Sequence, residues 1–284
     1  MSEAVSPPMP PHPKSPRWGR RLFLGFLGSV ACLYGVIVTY HLSVPRNAAG
    51  ATPGWMEKCR ELCLSYGLIP TGNIAMDAKA YLAVAKPQDL TSPLAEILAD
   101  GEFVRAETEA HPFIGKVPPD FTLPNSKGEM VSLHDLTAQG PVILVFYYGY
   151  NCSHCVAQLF GLQKDLHYLS ELGAQVVALS ADTPEKTAES FDRYGGFDFP
   201  VLSDADNKTA QIYEVFTPAH GDEEEDLKHG TFIIDKSGKV VFVNRGYQPF
   251  IDNKSILFWL SGLPGWTRPD AVVDSTENKP VAAK

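Results

Sequence analysis

The chain has 284 residues, of which 44% are hydrophobic and 20% are charged, and this length suits one or two domains. Its formal net charge of -9 argues against nucleic-acid binding, because contact with many phosphates requires a basic stripe. Five cysteines are too few for a disulfide scaffold in a chain this long. Four of them form two close pairs, Cys59 with Cys63 and Cys152 with Cys155, and such pairs favour a redox or metal site.

The N-terminal part has the pattern of a membrane anchor. Residues 1–21 are rich in proline and basic side chains and are predicted to be disordered. Residues 22–41 contain no Asp, Glu, Lys or Arg and match the ~20 residues that a helix needs to cross the hydrocarbon layer. Because basic residues precede this segment, we predict a single transmembrane helix with a cytoplasmic N-terminus and an exported remainder. A cleaved signal peptide and a lipoprotein signal with Cys32 lipidated are the alternatives.

Residues 42–114 are predicted to form a linker followed by a short helical segment. The candidate helices are Trp55–Tyr66, Ala75–Lys86 and Ser92–Leu98. Ser92 is the expected N-cap of the third helix, because Pro93 suits the first helical position. These helices are too short for an independent domain and are expected to pack on the domain that follows.

Residues 115–265 show the pattern of an α/β domain. Apolar runs predict buried strands at 141–148, 175–180 and 199–203. Helices are predicted at 155–172, 184–194 and 208–213, and a hairpin at 231–244. Strand–helix–strand units followed by a hairpin indicate an α/β sandwich around a mixed sheet. Residues 266–284 are predicted to be a disordered tail.

The most informative motif is Cys152-Ser-His-Cys155, which follows a strand that ends at Tyr148. Cys152 therefore begins a helix, where free N–H groups and the helix dipole stabilise a thiolate, the nucleophile of disulfide exchange. Cys155 can resolve a mixed disulfide, and His154 offers a positive charge or a proton. A structural disulfide would close almost no loop. Half of a zinc site would need further ligands, for which Cys59 and Cys63 are candidates.

Five motifs resemble the alkyl hydroperoxide reductase/thiol-specific antioxidant (AhpC/TSA) family, over about residues 115–250. They are VPPDFTLP at 117–124, PVILVFYY at 141–148, ALSADTPE at 178–185, FPVLSD at 199–204 and TFIIDKSG at 231–238. The resemblance implies a thioredoxin-like fold and thiol redox chemistry.

Three positions depart from the peroxidase members of this family. The peroxide-reacting cysteine of those members corresponds to Cys155, but their upstream proline and threonine correspond to Tyr148 and Cys152, and their arginine to His229. The cysteine pair instead resembles the thioredoxin-type branch. That branch has a cis-proline facing the pair, where this chain has His229-Gly230.

A more distant resemblance is to Sco-type copper chaperones, which have two close cysteines and a histidine shortly before a later strand. This resemblance implies copper bound by Cys152, Cys155 and His229, because thiolates and imidazole suit copper. The opposing interpretation of His229 is an exposed loop histidine beside the acidic run 222–226.

The second pair lies on a predicted helix, where Met56, Cys59 and Cys63 share one face. Three interpretations stay open for this face. It could bind Cu(I) through soft sulfur ligands, pack as an apolar stripe, or relay electrons to Cys152 and Cys155.

The sequence thus favours a membrane-anchored thiol–disulfide oxidoreductase with a thioredoxin-like domain. Cys152 attacks a substrate disulfide and Cys155 resolves it, with Tyr148, His154 and His229 as modulators. The expected partner is a protein thiol or disulfide, and no cofactor is required. The alternatives are a Sco-like copper-binding assembly factor and a peroxiredoxin-like peroxidase that uses Cys155.

Overall fold

The structure is a computed structural model that describes residues 17–43, 54–69, 71–150 and 152–265. The chain divides into two compact units, Met1–Ala51 and Thr52–Lys284. Residues 1–16 of the segment 1–21 predicted to be disordered, and the predicted tail 266–284, lie outside the described residues. Residues 17–21 are helical, so the prediction of disorder is wrong for them.

The segment predicted to cross a membrane lies in a helix, α1, which covers Arg17–Ser43. Within the part of the chain that the structure describes, no helix has the length and apolar character needed to span a bilayer. The transmembrane prediction for residues 22–41 is therefore not supported. The helix begins five residues before the predicted anchor, so its first turns include Arg17, Arg20 and Arg21. The cytoplasmic N-terminus and the export of the remainder stay predictions.

The second unit contains nine described helices and nine described strands. The helices are α2 (Gly54–Ser65), α3 (Ile74–Ala85), α4 (Leu94–Leu98), α5 (Leu133–Thr137), α6 (Ser153–Lys164), α7 (Leu166–Glu171), α8 (Pro184–Tyr194), α9 (Lys208–Ile212) and α10 (Asn253–Ser261). The strands are β1 (Thr122–Pro124), β2 (Met130–Ser132), β3 (Val142–Phe146), β4 (Gln175–Ser180), β5 (Val201–Ser203), β6 (Phe216–Thr217), β7 (Asp226–Leu227), β8 (His229–Ile234) and β9 (Val240–Gly246).

Helix ends follow local capping chemistry where the side chains allow it. The Thr183 side chain accepts a hydrogen bond from the Lys186 backbone N–H, and Pro184 occupies the first turn of α8, as predicted. The predicted N-cap at Ser92 is wrong, because Pro93 takes that position in α4 and makes no side-chain cap.

The long helix predicted over residues 155–172 is in fact two helices, α6 and α7, that meet at Asp165. Asp165 leaves the helical conformation, and its buried carboxylate accepts a hydrogen bond from the Asn253 side chain at 2.8 Å. A contact 88 residues away in sequence therefore accompanies the break.

The central sheet is mixed and has the strand order β5-β4-β3-β8-β9. Strands β3, β4 and β5 are parallel, whereas β8 is antiparallel to β3 and to β9, which confirms the predicted hairpin. Along β3, Ile143 and Val145 face one hydrophobic cluster, while Leu144 and Phe146 face another. Burial on both faces explains the continuous apolar run of this strand.

Helices cover both faces of the sheet, so the predicted α/β sandwich is confirmed. Helices α4, α6, α7 and α10 contribute to the cluster on one face, and α5 and α9 to the cluster on the other. The N-terminal helices α2 and α3 also pack against this domain, at α6 and at the residue that precedes it. Ala78 and Tyr81 of α3 pack against Ala157 of α6, and Cys59 of α2 packs against Cys152 and Cys155.

The α3–α6 contact predicts that Ala78→Leu will be destabilising. Ala78 is fully buried, and extra methylene groups in a packed interface cost roughly 1–3 kcal/mol. Ala80→Leu is the matched control, because Ala80 is exposed on the same helix. Urea unfolding of both variants measures the difference. Equal stability of the two variants would contradict the close packing of α3 on α6.

Candidate redox site

The site is built where β3 ends and α6 begins. The Tyr147 N–H still donates to the Leu179 carbonyl of β4, and the chain then turns at Gly149, whose φ of 86° favours glycine. A Cβ atom at Gly149 would lie 2.5 Å from a carboxylate oxygen of Asp182. That carboxylate accepts a hydrogen bond from the Tyr150 N–H at 2.7 Å and is paired with Lys186. The turn is therefore held by a buried, neutralised carboxylate.

This turn places Cys152 at the N-cap of α6 and Cys155 in its first turn. The two cysteines form a disulfide. Only 6% of Cys152 and none of Cys155 is exposed. The structure therefore brings together the two residues that the sequence singled out, at a helix N-terminus but beneath other side chains.

His154, which lies between them, points into the same cluster. Its Nδ1 atom is 3.3 Å from Cys152 Sγ and its Nε2 atom 3.7 Å from Cys155 Sγ. Its ring also packs on Tyr81 of α3. Burial lowers the pKa of His154 to about 4, so the imidazole is neutral at pH 7. The predicted positive charge of this residue is therefore wrong for this state of the site.

The second cysteine pair covers the first. Cys59 Sγ is 4.0 Å from Cys155 Sγ, and Cys63 Sγ is 3.0 Å from His154 Nδ1. Burial raises the pKa of Cys59 to about 12, with a smaller contribution from Cys63, and burial also raises the pKa of Cys63. Both residues are therefore neutral thiols. Met56 packs at the edge of the same cluster.

His229 begins β8 and is buried, so its interpretation as an exposed loop histidine is wrong. Its ring stacks on Tyr148 with a centroid distance of 4.3 Å. Neither of its ring nitrogens has a hydrogen-bond partner among the described residues. Burial, with a smaller contribution from His154, lowers its pKa well below the usual range. The Tyr148 hydroxyl donates to the Leu227 carbonyl at 2.6 Å.

The predicted copper ligands are not the set that the fold brings together. The groups whose ligand atoms all lie within 4.8 Å of one another are Cys59, Cys152, His154 and Cys155. Sequence reasoning named Cys59 as a candidate zinc ligand beside Cys152 and Cys155 but did not include His154 among the ligands. The signal for Cys59 was its position on the same helical face as Met56 and Cys63.

A mixed five-stranded sheet with a Cys-x-x-Cys disulfide at the start of the helix after its central strand defines a thioredoxin-like thiol redox protein. The AhpC/TSA family profile matches residues 114–243. Peroxiredoxin Bcp of Escherichia coli strain K12 is 30% identical over 149 residues, which cover 51% of this chain and 94% of that protein. The chain belongs to the AhpC/TSA family, as the sequence motifs predicted.

Two further relatives show the same pattern of partial coverage. Chloroplastic peroxiredoxin Q of Sedum lineare is 30% identical over 140 residues, covering 48% of this chain and 70% of that protein. The crystal structure of peroxidoxin BcpB from Mycobacterium tuberculosis aligns with a TM-score of 0.47 and 29% identity, over 53% of this chain and 97% of that one. The family match begins at residue 114, so α2 and α3, with Cys59 and Cys63, lie outside it.

The buried His154 predicts a loss of stability in acid. Its pKa is lowered from 6.5 to about 4 in the folded protein, so between these values the unfolded chain binds a proton that the folded protein does not. The free energy of unfolding is therefore highest above pH 6.5 and falls as the pH drops, by on the order of 3 kcal/mol for this residue.

Urea unfolding of the oxidised protein at several pH values measures this slope. His154→Asn should reduce the slope between pH 6.5 and 4 by the contribution of one histidine, since buried His229 keeps its own. His220→Asn, which removes an exposed histidine, should leave the slope unchanged. An unchanged slope in His154→Asn would contradict the burial of this imidazole.

Proposed function

We propose that the protein is a peroxiredoxin-type thiol peroxidase in which Cys155 reacts with the peroxide and Cys152 resolves the oxidised sulfur. Membership of the AhpC/TSA family supports this function. The sequence resemblance also matches Cys155 to the peroxide-reacting cysteine of the peroxidase members. The observation that carries the proposal is the burial of both sulfurs, with exposures of 6% and 0%. A small oxidant suits such a site better than the disulfide of a folded protein.

The surroundings of the sulfurs fit a small substrate. A cavity of about 20 Å³ is lined by Cys63, Tyr81 and His154, among others. This volume is enough for a water-sized molecule but not for a polypeptide. The cavity is separated from the reactive sulfur by His154, whose Nε2 atom is 3.7 Å from Cys155 Sγ.

The proposed reaction has three steps. The Cys155 thiolate attacks one peroxide oxygen, the O–O bond breaks, and the other oxygen leaves as an alcohol or as water after taking a proton. The Cys152 thiolate then attacks the sulfenic acid of Cys155, the S–O bond breaks as the disulfide forms, and the released hydroxide takes a proton from solvent and leaves as water. A partner dithiol finally supplies two electrons and two protons and is itself oxidised to a disulfide.

The N-terminus of α6 supplies part of the thiolate stabilisation that the threonine and arginine of the peroxidase members would give. Cys152 and His229 occupy the positions of the threonine and arginine of the peroxidase members. Cys155 lies in the first turn of α6, where free N–H groups and the helix dipole stabilise a thiolate. We therefore expect a working but slower peroxidase than members that keep those residues.

Peroxide consumption by the reduced protein tests the assignment. Cys155→Ser should abolish consumption, because it removes the reacting sulfur. Cys152→Ser should allow one equivalent of peroxide to be consumed and leave a sulfenic acid that dimedone traps at Cys155. Cys32→Ser is the control for the loss of one thiol and should behave as the unmodified protein. Consumption that survives Cys155→Ser would rule out this function.

A second candidate is thiol–disulfide exchange through Cys152. It is favoured by the N-cap position of Cys152, which stabilises a thiolate on the more exposed of the two sulfurs. In this reaction Cys152 attacks a substrate disulfide and forms a mixed disulfide, and Cys155 then displaces the substrate.

The two candidates predict different behaviour of reduced Cys155→Ser. Exchange predicts that this variant, incubated with a disulfide-bonded peptide, accumulates a mixed disulfide at Cys152 that mass spectrometry detects. Cys152→Ser is the matched control and should trap far less. Absence of any adduct at Cys152 in the reduced variant would remove exchange as the function.

A further inference from the structure

Three sulfurs and one imidazole meet at one buried point of the structure. Their ligand atoms belong to Cys59 of α2 and to Cys152, His154 and Cys155 at the start of α6, and all lie within 4.8 Å of one another. Each of the four residues is at most 6% exposed. Three cysteines and one histidine form a ligand set typical of closed, four-coordinate zinc sites. We propose that the reduced protein binds one Zn²⁺ through these four residues.

The position of Cys59 fits a ligand better than a relay thiol. Attack by a thiolate on Cys155 requires the attacking sulfur, Cys155 Sγ and Cys152 Sγ to lie nearly in line. If the attacking sulfur is 4.0 Å from Cys155 Sγ and the S–S bond is ~2.05 Å long, the attacking sulfur is about 6 Å from Cys152 Sγ. Cys59 Sγ is 4.0 Å from Cys155 Sγ and no more than 4.8 Å from Cys152 Sγ. It therefore lies beside the disulfide, as a third ligand would.

The orientation of His154 fits the same arrangement. Its Nδ1 atom is 3.0 Å from Cys63 Sγ and 3.3 Å from Cys152 Sγ, while Nε2 lies 3.7 Å from Cys155 Sγ and 3.8 Å from Cys152 Sγ. If Nδ1–H donates to the Cys63 sulfur, the lone pair of Nε2 is free to bind the ion. A metal-bound histidine usually donates its other N–H to an outer carboxylate, carbonyl or water, and in this site the Cys63 sulfur would take that place. Cys63 is therefore a positioning residue for His154 and not a ligand.

Charge decides which ion suits the site. Three thiolates carry three negative charges, so Zn²⁺ leaves a net charge of -1 and Cu(I) a net charge of -2. Burial of uncompensated charge is costly, and the divalent ion is therefore favoured. This set differs from the copper ligands that the sequence suggested, because Cys59 and His154 replace His229.

The site exists only in the dithiol state. The Cys152–Cys155 disulfide of the present structure uses two of the three sulfur ligands. Oxidation and zinc binding are therefore mutually exclusive, and bound zinc reports that the dithiol is reduced. This inference depends on the dithiol state and not on peroxidase activity, so either proposal can fail without the other.

Titration of the full chain with zinc tests the site. The protein, reduced with a phosphine and free of oxygen, is titrated with ZnCl₂ against a chromophoric chelator, and its Co²⁺ form is examined by visible spectroscopy. We expect one equivalent of zinc and a tetrahedral cobalt spectrum with charge-transfer bands from three thiolates. The disulfide form, titrated without reductant, should not bind at this site.

Variants separate ligands from the positioning residue. Cys59→Ser, Cys152→Ser, Cys155→Ser and His154→Asn should each weaken zinc binding by more than ~100-fold. Cys63→Ser should weaken it by roughly 10–100-fold and keep the cobalt spectrum, as loss of an outer partner does. Cys32→Ser removes one thiol outside the site and should change neither quantity. Circular dichroism without metal checks that each variant is folded.

Three results would overturn the proposal. The first is no zinc binding by the fully reduced protein. The second is unchanged zinc affinity in Cys59→Ser, provided that this variant folds. If Cys59→Ser does not fold, the contradicting result is a cobalt spectrum of the unmodified protein that shows fewer than three thiolate ligands. The third is binding of Cu(I), presented as a buffered Cu(I) complex, with dependence on the same four residues while zinc fails to bind.

Discussion

The turn between β3 and α6 is the constraint on which the rest of the site depends. Strands β3 and β4 are parallel neighbours, so Gly149 after β3 and Asp182 after β4 meet at the same edge of the sheet. The Asp182 carboxylate fills the space that a side chain at position 149 would need. Its hydrogen bond to the Tyr150 N–H fixes where α6 begins, and hence where Cys152 lies.

Helix α2 gives this family domain a cover that lies outside the matched family region. It brings the neutral thiol of Cys59 against the disulfide, and the neutral imidazole of His154 lies beside the same two sulfurs. The oxidised site therefore carries no charge. Reduction creates thiolates in the same enclosed space, and the available compensation is the N-terminus of α6 or a bound cation. The accessory helix thus sets the electrostatic conditions for the dithiol.

The elements of the fold could be predicted because their signals are local. The apolar run before Tyr148, the Thr183-Pro184 start of α8 and the turn at Lys236-Ser-Gly238 each specify structure within a few residues. Once the parallel strands and the hairpin are known, the rules for strand connections allow only a few topologies of the sheet. The break at Asp165 was missed because its partner, Asn253, is distant in sequence.

The candidate site was predictable only in part, for the same reason. The Cys-x-x-Cys spacing located Cys152 and Cys155, but the contact of Cys155 with Cys59 spans 96 residues, and that of His154 with Cys63 spans 91. The spacing of sulfur-containing residues along a helix shows that they share one face, but it does not show which part of the protein that face packs against. The exposed-loop interpretation of His229 was wrong because the acidic run before it indicates a loop, whereas β8 begins at that residue and buries it.

Both proposals depend on helix α2, because this helix buries the dithiol. Helix α2 keeps large substrates from Cys152 and Cys155, and its Cys59 would complete a zinc site with the same two sulfurs. A surface ion pair between Lys58 of α2 and Asp226 of β7, at 3.3 Å, adds little to the attachment of this helix, because such pairs are worth at most about 1 kcal/mol. The packing of Cys59 and Met56 on the cluster and the contact of Cys63 with His154 also attach α2 to the domain. In the reduced protein a zinc ion would strengthen that attachment by binding both helices. Formation of the disulfide would remove two of its ligands and leave the helix held by packing alone.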